Sequence, residues 1–209
     1  RATGLTGGER VVIVAENHPA ALVLMLAAQT LRVWPAMLNA RLPGVEVGRL
    51  VACAQPKLVL FATHGSSAAL EHALAQRAEG LAVEGVQGVM HTVAQPSIGP
   101  QPASKAPEDE VASLIFTSGT TGQPKAVMLS HLTMLNHGRV AAAASRPGVD
   151  DIIEVLSPLP HALAPACLLA APVHGASLRL PPRLGVPDLA IAIPLGGTTH
   201  AAMVAAARA

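Results

Sequence analysis

"LIFTSGTTGQPKAVMLSH", residues 114–131, is the stretch on which the reading of this chain turns. Large apolar residues open it, four hydroxyl side chains and two glycines follow, and a second apolar run begins after Lys125. The pattern predicts strands over 111–116 and 126–129 joined by a polar loop. Composition alone leaves two uses for such a loop. It is either a plain hairpin turn or a concavity in which backbone N–H groups, hydroxyls and a lysine gather around an anion. Gly119 and Gly122 suit the second use, because glycine adopts positive φ freely and lets an oxygen approach the main chain. The spacing is not that of the Walker loop: that pattern needs GxxxxGK followed by Ser or Thr, and here Gly119, Gly122 and Lys125 are followed by Ala126.

Upstream, strands and helices alternate. "RVVIVA" (10–15) reads as a buried strand, 18–31 as a helix, "VWPAML" (33–38) as a strand, "NARLPG" as a turn and 45–54 as a helix. "KLVLFA" (57–62) is again a strand, 66–79 a helix capped by Ser66, and 81–90 a strand-like stretch broken by glycines. Downstream, Ser130 is placed to cap a helix reaching about Ala144, 152–156 reads as a strand and "SPLP" as a turn. A helix interrupted by Pro165 follows over 161–173, then a strand over 176–180. This alternation predicts an α/β fold of mostly parallel sheets flanked by helices. The Pro- and Ser-rich run 94–110 has no periodicity and reads as a linker between a first α/β subregion, 1–93, and a second, 111–209, that carries the loop.

Composition narrows the partners. The net charge of +1 gives no field to gather nucleic acid or an anionic membrane, and with aromatics at 1% there is little to stack on bases. The longest apolar runs fall short of the ~20 residues that span a bilayer, so no transmembrane segment is expected. Cys53 and Cys167 stand apart without a CxxC pair and read as free, buried thiols of a reducing, cytoplasmic protein. The histidines show no zinc-ligand spacing, so no protein-held metal is expected.

The order of residues in 114–131 closely resembles the phosphate-binding signature of the adenylate-forming (AMP-dependent synthetase/ligase) superfamily, which includes acyl-CoA synthetases, nonribosomal-peptide adenylation domains and luciferase-like ligases. "GERVVIVAENHPAALVLMLAA" with "NARL" is similar to the family's N-terminal segment, and "VLSPLPHALAP" with "HGASLRL" to the segment after the loop. The resemblance extends to about Pro182. It implies ATP-dependent, AMP-forming activation of a small-molecule carboxylic acid to an acyl-adenylate, with coenzyme A as co-substrate and magnesium accompanying ATP. Thr117, Ser118, Gly119, Thr120, Thr121 and Gly122 would wrap the β- and γ-phosphates, Lys125 would add charge at the loop's end, and His161 would stand beside the carboxylate pocket. His131 reads as structural.

Departures from the family pattern are visible too. Arg32, Ala126 and Ala164 stand where relatives usually have glycine, so strained backbone is expected at all three. The family's later motifs do not occur, and "GGTTH" (196–200) only echoes one of them. The chain therefore reads as an N-terminal part of such a ligase, with a non-catalytic nucleotide-binding remnant as the alternative. A general phosphotransferase ranks behind both, because Glu108, Asp109 and Glu110 precede the strand rather than follow it.

Overall fold

Four consecutive side chains, Val11 to Val14, are fully buried. A strand covered on both faces belongs at the centre of a parallel sheet, and strand β1 (Arg10–Ala15) occupies that place. In the computed structural model, which describes residues 3–94, 96–104, 109–117, 123–161, 164–181, 193–194 and 203–208, β1 pairs in parallel with β2 (Trp34–Asn39) on one side and β3 (Leu58–Ala62) on the other. Helices α1 (Pro19–Thr30), α2 (Gly44–Ala54) and α3 (Ser67–Ala75) make the connections and pack on these strands. Strands β4 (Glu79–Gly80), β5 (Val89–Val93), β6 (Val111–Thr117) and β7 (Lys125–Ser130) complete a seven-stranded sheet in the order β4-β5-β3-β1-β2-β6-β7. Its centre, β3-β1-β2-β6, is parallel, and antiparallel partners extend both edges.

Phe61, Ile13, Leu38 and Leu114 are the largest side chains sealed inside this unit. Each contributes roughly 1.5–3 kcal/mol by leaving water. With few rings available, the core is built from tightly spaced valines, leucines and alanines around Trp34 and Phe61. Pro35 lies within β2, a poor place for a residue that lacks an N–H. The strand tolerates it because Trp34 N–H donates to the Glu9 carbonyl on the β1 side (2.8 Å), so the next nitrogen faces β6, where pairing is recorded only at Ala36 with Leu114.

The helix boundaries follow local chemistry. His18 caps α1, its Nδ1 accepting from Ala20 N–H at 3.1 Å. Burial, with the ring of His64 5.4 Å away, pushes the His18 imidazole below its ordinary value and so keeps that acceptor unprotonated. Ser66 caps α3 as expected, its side chain accepting from Ala69 N–H at 3.1 Å. The helix stops at Ala75, four residues before the expected end at Glu79. Arg77 turns left-handed (φ 53°), and Ala78 and Arg77 N–H groups close the end on the Ala73 and Leu74 carbonyls. The stretch expected as a strand over 81–90 is mostly the connection between β4 and β5. Gly85 and Gly88 take φ of 72° and 63° there, and the strand itself begins at Val89.

The chain divides into two compact units, Arg1–His131 and Leu132–Ala209. The segment 94–110, expected as a linker, lies within the first of them. The second holds nearly all of helix α4 (His131–Ser145), helix α5 (Ala164–His174) and a four-stranded sheet ordered β10-β11-β8-β9. Its strands are β8 (Asp151–Val155), β9 (Ser177–Arg179), β10 (Ile193–Pro194) and β11 (Met203–Arg208), of which only β8 and β9 pair in parallel. Pro165 sits in the first turn of α5, where a proline fits, and does not interrupt it; the proline inside the helix is Pro172. No helix among the described residues is long and apolar enough to cross a membrane.

Gly138, in the middle of α4, looks like a helix weakness in sequence. A Cβ built on it would lie 2.4 Å from the Leu169 Cβ and 3.1 Å from the Leu169 carbonyl carbon, so the glycine is there to let α5 approach. Propensity alone would have Gly138→Ala stabilise the helix by about 1 kcal/mol. The contact reverses the sign: urea denaturation of the variant is expected to show a loss of about 1–3 kcal/mol.

Candidate functional site

The loop-bearing hairpin is built by β6 and β7. Ala112 and Leu114 of β6 are buried in the sheet, while β7, at the sheet edge, leaves Val127 and Met128 exposed. Antiparallel register runs from Val111 with Ser130 to Thr117 with Lys125, with an irregularity between Val111 and Ser113. Thr117 and Lys125 are thus the last paired residues before the loop, and both are exposed. Ser118, Gly119, Thr120, Thr121 and Gly122, five of the residues assigned from sequence to phosphate binding, lie outside the described residues.

The root of β6 is fastened to the sheet's interior. Gln29 of α1 donates through Nε2 to the Ala112 carbonyl at 2.8 Å. One residue before the strand, the carboxylate of Glu110, itself buried, accepts from the Arg32 guanidinium at 2.5 Å and from Ser104 N–H at 3.1 Å. The Glu110 carbonyl accepts from His131 N–H at 3.0 Å, closing the far end of the hairpin. Arg32 holds the Glu110 carboxyl below its ordinary pKa, with the Ser104 N–H helping against the opposing effect of burial.

This gives Arg32 a purpose that the sequence did not disclose. Arg32 has φ 57° and closes α1 in the same manner that Arg77 closes α3: its N–H and that of Val33 donate to the carbonyls of Gln29 and Ala28. Glycine is the easier residue there. Arginine accepts the strain and reaches Glu110 across 78 residues of sequence. The strain expected at Ala126 and Ala164 is absent, since Ala126 lies in extended strand opposite Phe116, Ala164 opens α5, and neither has positive φ.

His161 is exposed in the bend between β8 and α5. Its N–H donates to the Pro158 carbonyl at 2.9 Å and its carbonyl accepts from Ala164 N–H at 3.0 Å, which sets the turn into the helix. The sequence reading placed it inside that helix. Lys125 belongs to the first compact unit and His161 to the second. Ser130 is the last residue of β7 and immediately precedes α4. "GGTTH" and the Cys167 side chain lie outside the described residues. Cys53, expected to be buried, is only half-buried, and its Sγ lies 3.3 Å from the Pro124 carbonyl, one residue before Lys125.

With this geometry in place, comparison with known proteins decides the family. The model of the AMP-binding enzyme family matches residues 1–206. The chain belongs to that family. A fatty acid–[acyl-carrier-protein] ligase, MmaC of Mycobacterium marinum, is 31% identical over 137 residues, which is 64% of this chain and 25% of that protein. A long-chain-fatty-acid–CoA ligase of Thermus thermophilus is 26% identical over 196 residues, 88% of this chain and 35% of that protein. The chain therefore spans about a quarter to a third of the length of these relatives. In fold, it is similar to the N-terminal domain of FACL13 from Mycobacterium tuberculosis, with a TM-score of 0.66 at 21% identity, covering 90% of this chain and 48% of that one. The α/β fold expected from the alternating pattern is thus the fold of N-terminal domains of adenylate-forming enzymes.

Two substitutions at left-handed positions separate strain from ion pairing. Arg32→Gly relieves about 1 kcal/mol of backbone strain but removes a charged hydrogen bond worth about 1.5–3 kcal/mol, less for a half-exposed arginine. A net loss of about 1 kcal/mol is expected. Arg77→Gly relieves the same backbone with no ion pair at stake among the described residues, and a gain of about 0.5–1 kcal/mol is expected in the same denaturation assay. Because the folded-state pKa of Glu110 is lowered, its contribution is complete above its unfolded value of about 4.5 and is lost as pH falls through the folded value. Glu110→Gln should therefore flatten the fall in stability below about pH 4.5, and an unchanged acid limb would contradict this role.

Proposed function

We propose that this chain carries the triphosphate-binding part of an enzyme that activates a carboxylic acid with ATP. The observation that supports it most is the hairpin 111–130, whose paired ends bring Thr117 and the exposed Lys125 together at the mouth of a loop of serine, threonine and glycine. Those groups fit a polyphosphate: hydroxyls and backbone N–H groups can donate to its oxygens and carry no negative charge, glycines leave room for oxygens, and an ammonium adds full charge. Thr117, Ser118, Gly119, Thr120, Thr121 and Gly122 would hold the β- and γ-phosphates, and Lys125 would neutralise charge at the loop's end. Magnesium accompanies ATP in this reading, and no residue of this chain is assigned to hold it.

The reaction requires the acid's carboxylate to form a bond to the α-phosphorus as the bond to the bridging oxygen breaks, releasing pyrophosphate. Negative charge builds on the departing pyrophosphate, and catalysis of such a transfer rests on position and charge neutralisation. A loop that grips the leaving group supplies both. His161, at the turn into α5, would line the carboxylate pocket. The acyl group then passes from the adenylate to a thiol as AMP leaves, and coenzyme A is the proposed acceptor. An acyl-carrier-protein acceptor is the second reading, favoured by the 31% identity to MmaC, a ligase named for that carrier. Fatty acids are the first substrates to test, because MmaC and the T. thermophilus ligase are both named for them. The alternative for this chain alone is nucleotide binding without adenylation.

Carboxylate-dependent exchange of labelled pyrophosphate into ATP separates these cases. Exchange that needs both a fatty acid and the loop supports an enzyme, while ATP binding without exchange supports the binding remnant. Lys125→Ala is expected to weaken ATP binding by about 1–3 kcal/mol, measured by calorimetry. Unchanged affinity in that variant would remove the basis of the assignment.

A further inference from the structure

Cys53 stands in the last turn of α2, a helix seated on the core through Val47, Leu50 and Ala54, all buried. The end of that helix is pinned as well: the Arg10 guanidinium donates to the Ala54 carbonyl at 2.9 Å, and Gln55, at φ 48°, donates its N–H to the Val51 carbonyl. The Cys53 thiol projects from this fixed base and donates to the carbonyl of Pro124 at 3.3 Å, across 71 residues of sequence. Pro124 lies one residue beyond the last ladder pair, Thr117 with Lys125, so the sheet's own pairing does not reach it. The carbonyl that the thiol holds belongs to the peptide whose nitrogen is that of Lys125. Lys125 is therefore held from both sides: by its ladder partner Thr117 and, through the preceding peptide plane, by the thiol.

We infer that Cys53 is a positioning residue for the nucleotide site: its S–H bond to Pro124 orients the Pro124–Lys125 peptide so that Lys125 faces the triphosphate. This rests on the phosphate-binding reading of the hairpin given above. The thiol touches neither nucleotide nor acid; it acts through Lys125. Two consequences follow. Removing the donor loosens Lys125 and weakens nucleotide binding without unmaking the sheet, since the buried side of α2 is untouched. By reciprocity, a nucleotide that holds Lys125 in place also holds the Cys53–Pro124 contact, so nucleotide must shield the thiol from modification.

Calorimetry with MgATP on the 209-residue chain, together with Cys53→Ala, Cys53→Ser and Lys125→Ala, tests this. One S–H donor is a weak bond, and Cys53→Ala is expected to raise the Kd for ATP about three- to fivefold. Cys53→Ser, which keeps a donor, should stay within about twofold of the unaltered chain. In the unaltered chain, labelling by N-ethylmaleimide is followed by peptide mass mapping, which separates Cys53 from Cys167. Saturating MgATP should slow the reaction at Cys53 at least threefold, and adenosine should not. ATP affinity equal in Cys53→Ala and the unaltered chain, or a Cys53 labelling rate indifferent to ATP, would overturn the inference while a weakened Lys125→Ala leaves the loop assignment standing. Should Lys125→Ala also bind ATP normally, the loop assignment itself falls and the role of Cys53 falls with it.

Discussion

Strand β6 pairs in parallel with β2 through Leu114 and Ala36, and the rest of the site hangs on that pairing. Without it the hairpin 111–130 would be an isolated two-stranded ribbon, marginal in water. With it, β6 joins a parallel core whose strands are buried on both faces, and β7 follows as the exposed edge. The sheet thus ties Val11–Val14 through β2 to β6, as far as its last paired residue, Thr117. The proposed phosphate-binding role asks for such a fixed base beneath Thr117 and Lys125.

Electrostatics reinforces the same junction. Glu110 is one of four buried carboxylates among the described residues, and its partners come from three directions: the Arg32 guanidinium, the Ser104 N–H and, at its carbonyl, the His131 N–H. A buried acid left unpaired would cost several kcal/mol. Arg32 supplies the charge from a backbone position that favours glycine, so the strain at the end of α1 and the ion pair at the start of β6 are one compromise. Lys57 with Glu9 (2.8 Å) repeats the logic near the start of β1, where burial raises the Glu9 carboxyl and the lysine and Thr6 N–H together lower it further.

Much of this was legible in the sequence because local chemistry and tertiary demand agreed. "RVVIVA" and "KLVLFA" have no polar face, and both are buried parallel strands; Ser66 is a capping residue and caps. The family of the chain was legible in the order of residues 114–131. What stayed hidden depends on contacts distant in sequence. Gly138 is explained only by Leu169 on another helix, Arg32 only by Glu110, and the half-buried thiol of Cys53 only by Pro124. The end of α3 and the β4–β5 turn were misjudged for a different reason: Arg77 takes a left-handed conformation that its residue type does not advertise, and Gly85 and Gly88 break a run whose apolar residues suggested a strand.

The central claim is that residues 117–125 exist to grip the phosphate tail of a nucleotide. Backbone amide NMR of the 209-residue chain, titrated in turn with MgATP, tripolyphosphate and adenosine, tests it most directly. Shifts centred on 117–125 with the first two ligands and not with adenosine are the expected result. Shifts with adenosine alone, or a hairpin that no phosphate ligand perturbs, would contradict the account.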